Sequence, residues 1–142
     1  MLIGGMQKNS LIDYPGKVSA ALFTIGCNMR CGYCHNPELV LPERYANSMN
    51  LDEIFDFLEA RKGKLDGIVI SGGEPTMQPD LYDFIKSIKE MGYLVKLDTQ
   101  GTNSKIIKKL IEDKLIDFVA MDVKGPLDKY VMLAARPVDL DT

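Results

Sequence analysis

Apolar residues run almost unbroken through 18–25 (VSAALFTI), with β-branched and aromatic members, as in a strand buried on both faces. Gly26 ends the run. At Asn50-Leu51-Asp52-Glu53 a capping asparagine with a glutamate three residues on predicts a helix start, and Ile54, Phe55 and Leu58 give that helix its apolar face. A repeating pattern follows: strand 67–71 (GIVIS), helix 79–91, strand 93–98 (YLVKLD), helix 104–113 and strand 116–122 (IDFVAMD). Leu81, Phe84, Ile85 and Ile88, then Ile106, Ile107, Leu110 and Ile111, carry the i, i+3, i+4 spacing of helices lying on a sheet. Strands separated by one helix each imply crossovers into a parallel sheet, so the fold class is α/β. The first seventeen residues mix polar and charged positions and predict no element.

The polar residues fall at regular places on this frame. Cys27, Cys31 and Cys34 follow the first strand and Gly72-Gly73-Glu74-Pro75 the second; Asp98-Thr99 ends the third, and Asp122 with Lys124 ends the fourth. All four sets sit at carboxyl ends of parallel strands, where α/β proteins build their sites.

Composition narrows the class. With 142 residues and 46% apolar content the chain can bury one core unaided. A formal charge of −3 provides no basic field for a nucleic-acid backbone or an anionic membrane. No apolar stretch reaches the length of a membrane span, and the opening residues lack a signal-peptide core, so the expected setting is cytoplasmic. There the three cysteines, an odd number at short spacing, read as ligands or nucleophiles and not as disulfide partners.

All three cysteines and the only histidine lie in GCNMRCGYCHN, residues 26–36. A Cys3His zinc site would need the adjacent Cys34 and His35 on one tetrahedral ion and lacks the usual pair of separated knuckles. The CxxCH string at 31–35 matches a c-type haem attachment, but that reading leaves Cys27 without a task and requires export. An iron–sulphur cluster uses all three thiolates; a four-iron cubane normally takes four cysteines, so one iron would stay open to an exogenous ligand.

CNMRCGYC, with aromatic Tyr33 before the last cysteine, and Gly72-Gly73-Glu74-Pro75 together resemble the CxxxCxΦC and GGE(P) motifs of the radical S-adenosylmethionine (SAM) superfamily. The resemblance implies a partial (β/α)6 radical SAM barrel with about four βα units in this chain, and a [4Fe-4S] cluster on Cys27, Cys31 and Cys34 whose open iron chelates SAM. It also implies reductive cleavage of SAM to a 5′-deoxyadenosyl radical. Tyr33 would lie near the adenine, Gly72, Gly73 and Pro75 near the methionine moiety, and Glu74 on its ammonium.

Longer stretches, GMQKNSLIDYPGKVSAALFTIGCNMRCGYCHNPELV, ISGGEPTMQPDL, LDTQGTN and FVAMDVKGPLDKY, resemble the activating proteins of glycyl-radical enzymes, those of anaerobic ribonucleoside-triphosphate reductase above all. This implies a glycyl-radical enzyme as partner, with hydrogen taken from a backbone glycine, and an electron donor such as a flavodoxin or ferredoxin. It further implies that Asp98, Thr99 and Asp122 help hold SAM and a monovalent cation, with Lys124 near SAM. His35-Asn36 reads either as a hydrogen-bonding support to the cluster or its loop or as a structural polar turn; Lys62, Lys64, Lys105, Lys108 and Lys109 read as solvated charges. The alternatives are a radical SAM enzyme acting on a small molecule, of the 7-carboxy-7-deazaguanine synthase type, and an inert metal-stabilised module. Since such barrels have six units, residues 1–142 are expected to form a radical SAM domain truncated at its C-terminal side, with an open apolar edge that draws in another chain.

Overall fold

The computed structural model describes residues 1–45 and 47–138. One five-stranded sheet, ordered as in the sequence, forms the frame: β1 (Ile3–Ser10), β2 (Ser19–Thr24), β3 (Gly67–Gly72), β4 (Leu94–Thr99) and β5 (Phe118–Met121). The strands β2 to β5 are parallel, as the repeating pattern predicts, with Ala21 opposite Val69, Val69 opposite Lys96 and Lys96 opposite Phe118.

The strand β1 was not legible in the sequence. It pairs antiparallel with β2, with register shifts between Ile3 and Gly5 and between Gln7 and Ser10. Gln7 to Asn9 face solvent and Gly4 to Met6 are half-buried, so it carries no apolar alternation, only Ile3 and Ser10 being buried.

Between the strands run α1 (Pro37–Val40), α2 (Leu51–Ala60), α3 (Leu81–Glu90) and α4 (Ser104–Glu112); α5 (Tyr130–Ala134) follows β5. The Asn50 side chain caps α2 by accepting from Asp52 N at 2.9 Å. Ile54 and Leu58, Leu81, Phe84, Ile85 and Ile88, and Ile107 and Leu110 share one core with Ala20, Leu22, Ile68, Ile70, Val95 and Leu97 of the strands. The long helices therefore cover one face of the sheet. Ile111, expected on that face, is half exposed.

The other face carries a smaller cluster of Tyr14, Ala21 and Val69 with Phe23 and Leu94. At the β5 edge Phe118, Met121 and Val123 are exposed. Among the described residues no helix is long and apolar enough to cross a membrane.

Candidate functional site

The carboxyl ends of β2 to β5 meet around a cavity of about 380 Å³. Its lining includes Cys27, Cys31, Cys34, Tyr33 and His35 from the loop after β2, Ser71 to Glu74 from β3, Asp98 to Gln100 from β4, and Asp122 and Lys124 after β5. The four sequence-predicted segments thus converge, and apart from Pro75, which is buried in the turn that follows, every predicted site residue lines it.

The cysteine loop starts at Gly26, whose φ of +102° turns the chain out of the sheet. Gly26 N donates to Leu39 O at 2.7 Å, which closes the loop at its base. Inside it, the Arg30 guanidinium donates to Cys27 O at 2.6 Å and Met29 O at 2.7 Å, and Met29 N donates to Cys27 Sγ at 3.3 Å. Met29 is buried against Tyr130 and Ala134 of α5, and Arg30 N donates to Ala134 O at 2.8 Å. The helix α5 therefore covers the back of the loop and leaves the thiols facing the cavity.

All three thiols are free and partly exposed. Burial pushes the Cys27 thiol up; the Met29 amide draws it back, while Glu74 and Cys31 add to the rise. Loading a metal centre here would release that proton. No three His, Cys, Asp or Glu side chains among the described residues gather into a single-ion site. Three unpaired thiols on one short loop, with an amide already donating to one sulphur and a cavity in front, fit a larger thiolate-held group such as an iron–sulphur cluster.

The loop after β3 is zipped to the end of β2. Gly73 N donates to Thr24 O at 2.9 Å, and Glu74 N to Gly26 O at 2.8 Å. A Cβ on Gly72 would lie 2.2 Å from Thr24 N, and one on Gly73 would lie 2.1 Å from Gly26 O. These glycines line the cavity, as expected, but what requires them is the neighbouring backbone. Glu74 caps the 3-10 turn Pro75–Met77 and is almost fully buried. Its Oε1 accepts from Thr76 N at 3.1 Å, Thr76 Oγ1 at 2.5 Å and Thr99 Oγ1 at 2.6 Å; its Oε2 accepts from Gln100 N at 2.9 Å. The carboxylate is first a strut between β3 and β4. With one donor on Oε2, it keeps acceptor capacity for a cationic ligand.

At the far side, Asp98 is ion-paired with Lys96 and Asp122 with Lys124. Burial would lower the Lys124 ammonium, but the hydrogen bond and charge of Asp122 outweigh it and leave the pKa raised. Tyr33, half exposed, donates from its hydroxyl to Lys124 O at 3.4 Å, so one edge of the cysteine loop is tied to the segment after β5.

Several site residues escaped the sequence reading. Gln100 donates from Nε2 to Asn28 Oδ1 and to Thr102 Oγ1, and Asn28 Nδ2 donates to Thr102 Oγ1 at 3.0 Å, which joins the cysteine loop to the end of β4. Gln78 Nε2 donates to Ile25 O at 2.7 Å. Apart from the local Gln100–Thr102 link, these contacts span 53 to 74 positions and leave no local signature. Lys96 did leave one: a lysine inside the otherwise apolar YLVKL, residues 93–97.

The profile of the radical SAM superfamily matches residues 22–141. A protein of Methanocaldococcus jannaschii, provisionally named a glycyl-radical enzyme activating enzyme, is 49% identical over 133 residues, covering 91% of this chain and 52% of that protein. The pyruvate formate-lyase-activating enzyme of Staphylococcus aureus is 32% identical over 137 residues, covering 89% and 54%. The chain spans about half the length of the curated relatives it matches. Among solved structures, QueE from Escherichia coli superposes with a TM-score of 0.55 at 18% identity, over 71% of this chain and 52% of that one, a likeness of fold alone.

Proposed function

The chain belongs to the radical SAM superfamily, and we propose that residues 1–142 act as the SAM-cleaving domain of a glycyl-radical enzyme activating enzyme. The observation that carries the reading is the meeting of three free thiols, the Gly72-Gly73-Glu74 loop and the ends of β4 and β5 on one cavity. Cys27, Cys31 and Cys34 would hold the [4Fe-4S] cluster. When bound, that group supplies the electron that reduces the SAM sulphonium and frees a carbon radical able to take a hydrogen atom.

The protein's own part is positional. Tyr33 offers an exposed ring at the cavity edge for the adenine, and Glu74 offers its remaining acceptor positions to the ammonium. Asp98, Asp122 and Lys124 shape the charge of the opposite wall. The α5 cover and the Asn28–Gln100 link hold the cysteine loop in place while SAM exchanges. The substrate is a backbone glycine of a glycyl-radical enzyme. Anaerobic ribonucleoside-triphosphate reductase is the specific candidate, supported by the similarity through LDTQGTN and FVAMDVKGPLDKY, with a flavodoxin or ferredoxin as electron source in the cytoplasm.

Anaerobic reconstitution tests the reading. About four irons and four sulphides per chain are expected, lost in Cys31→Ala. The reduced protein should cleave SAM to methionine and 5′-deoxyadenosine, and paramagnetic resonance should show a glycyl radical on the reductase but not on pyruvate formate-lyase. One tightly held zinc with no cluster absorbance sinks the radical reading; a radical only on pyruvate formate-lyase replaces the partner.

A further inference from the structure

The resemblance to activating enzymes implies a monovalent cation held by Asp98, Thr99 and Asp122, and the residues present do not fit one. Asp98 accepts from the Lys96 ammonium and Asp122 from the Lys124 ammonium. The Thr99 hydroxyl donates to Glu74 Oε1 at 2.6 Å and accepts from Gly101 N at 3.1 Å. Each expected ligand is already engaged, and two fixed ammonium groups answer the two carboxylates. A further cation there would meet two like charges.

Lys96 is the unusual member. It lies on the sheet face opposite the long helices, between Leu94 and Asp98 in sequence, with Val69 and Phe118 beside it in register, and it is 7% exposed. Its ammonium stands 6.0 Å from the Phe118 ring centroid, and its one salt-bridge partner among the described residues is Asp98. A buried ammonium among apolar neighbours is tolerated only with a carboxylate against it, and a half-buried carboxylate gains most from a counter-charge it need not collect from solvent.

We propose that Lys96 is the resident cation of this site: its ammonium occupies the place a sodium or potassium ion would take on Asp98, so the chain is independent of monovalent metal ions. The inference rests on the proposed function only in locating Asp98 on the SAM-binding wall. Its test needs neither cluster nor SAM, so a failure of SAM binding would leave its outcome standing.

The experiment follows the thermal midpoint of the apo chain in potassium, sodium or tetramethylammonium chloride at equal ionic strength, together with the 23Na line width. The parent should show the same midpoint in all three salts and no sodium broadening beyond a salt blank. Lys96→Met strips Asp98 of its partner and should gain about 3 °C or more in potassium or sodium over tetramethylammonium, with sodium broadening that potassium competes away. Lys96→Arg should behave as the parent. If Lys96→Met is unfolded in tetramethylammonium, refolding by potassium or sodium is the same result in its extreme form. A parent that responds to the metal ions, or a Lys96→Met variant that neither responds nor is rescued, overturns the proposal.

Discussion

Replacing Glu74 by Gln keeps the shape of the side chain and exchanges one carboxylate oxygen for an amide. The structure dictates which one. An NH2 group in the place of Oε1 would face three donors, Thr76 N, Thr76 Oγ1 and Thr99 Oγ1; in the place of Oε2 it would face only Gln100 N. The second arrangement is the cheaper, and it leaves a buried backbone N–H without an acceptor while removing the charge that strengthened the remaining bonds. An unsatisfied buried donor costs about 1–3 kcal/mol and a charge-assisted bond contributes about 1.5–3, so the overlapping losses come to about 2–4 kcal/mol. Against a total stability of about 5–15 kcal/mol for a domain, this is readily measured.

Urea unfolding of the apo chain, followed by circular dichroism, should show that loss with an unchanged slope. Thr76→Val, which removes one hydroxyl donor and keeps the carboxylate charged, should cost only about 1 kcal/mol. On reconstituted protein, anaerobic titration should show weaker SAM binding in Glu74→Gln and near-parent binding in Thr76→Val, with the cluster intact in both. A Glu74→Gln chain within about 0.5 kcal/mol of the parent would refute the strut, since no buried donor could then have lost its acceptor. Parent-like SAM affinity would refute the ammonium contact.

Gly73→Ala should be among the most disruptive single-methyl changes in the chain, because its Cβ meets the Gly26 backbone at 2.1 Å, where no flexible side chain can yield. Parting the two loops loses the Gly73–Thr24 and Glu74–Gly26 hydrogen bonds, and a loss of about 3–5 kcal/mol in urea unfolding is expected. In the apo protein, burial disfavours the Cys27 thiolate, so mass-resolved alkylation at pH 8 should find Cys27 reacting more slowly than free cysteine, and a rate equal to free cysteine would contradict the placement of its sulphur. Met121→Lys, a charge on the exposed β5 edge, should reduce self-association in sedimentation velocity, and an unchanged sedimentation profile would show that this edge makes no contact between chains.

What could be read in advance was whatever local spacing fixes. The parallel strands and the helices over them announced themselves through apolar runs and a 3.6-residue period, and the cysteines and Gly72-Gly73-Glu74 through short strings tied to chemistry. The strand β1 did not, because its exposed stretch, Gln7 to Asn9, breaks any period and its place is set by β2. Nor did the short helix α5 as the cover of Met29, or Gln100 as the partner of Asn28, since a side-chain contact between distant residues has no sequence period. Glu74 was legible as a site residue but not as a strut. That role depends on Thr99 arriving beside it from the next strand, which only the parallel register brings about.

The pairing of Met29 with Tyr130 and Ala134 also sets an order of events during synthesis. The cysteine loop leaves the ribosome about one hundred residues before its cover does, and at about 5–20 residues per second the nascent chain carries three uncovered thiols for about 5–20 s. Gln100, which holds the opposite side through Asn28, emerges within that window, so the loop is fastened at the front before it is closed behind. A cluster-delivery protein would then find its widest access on the ribosome-bound chain. Chains stalled with Gln100 exposed and Ala134 still in the tunnel should be alkylated at all three cysteines faster than the released protein; equal rates would mean that α5 shields nothing.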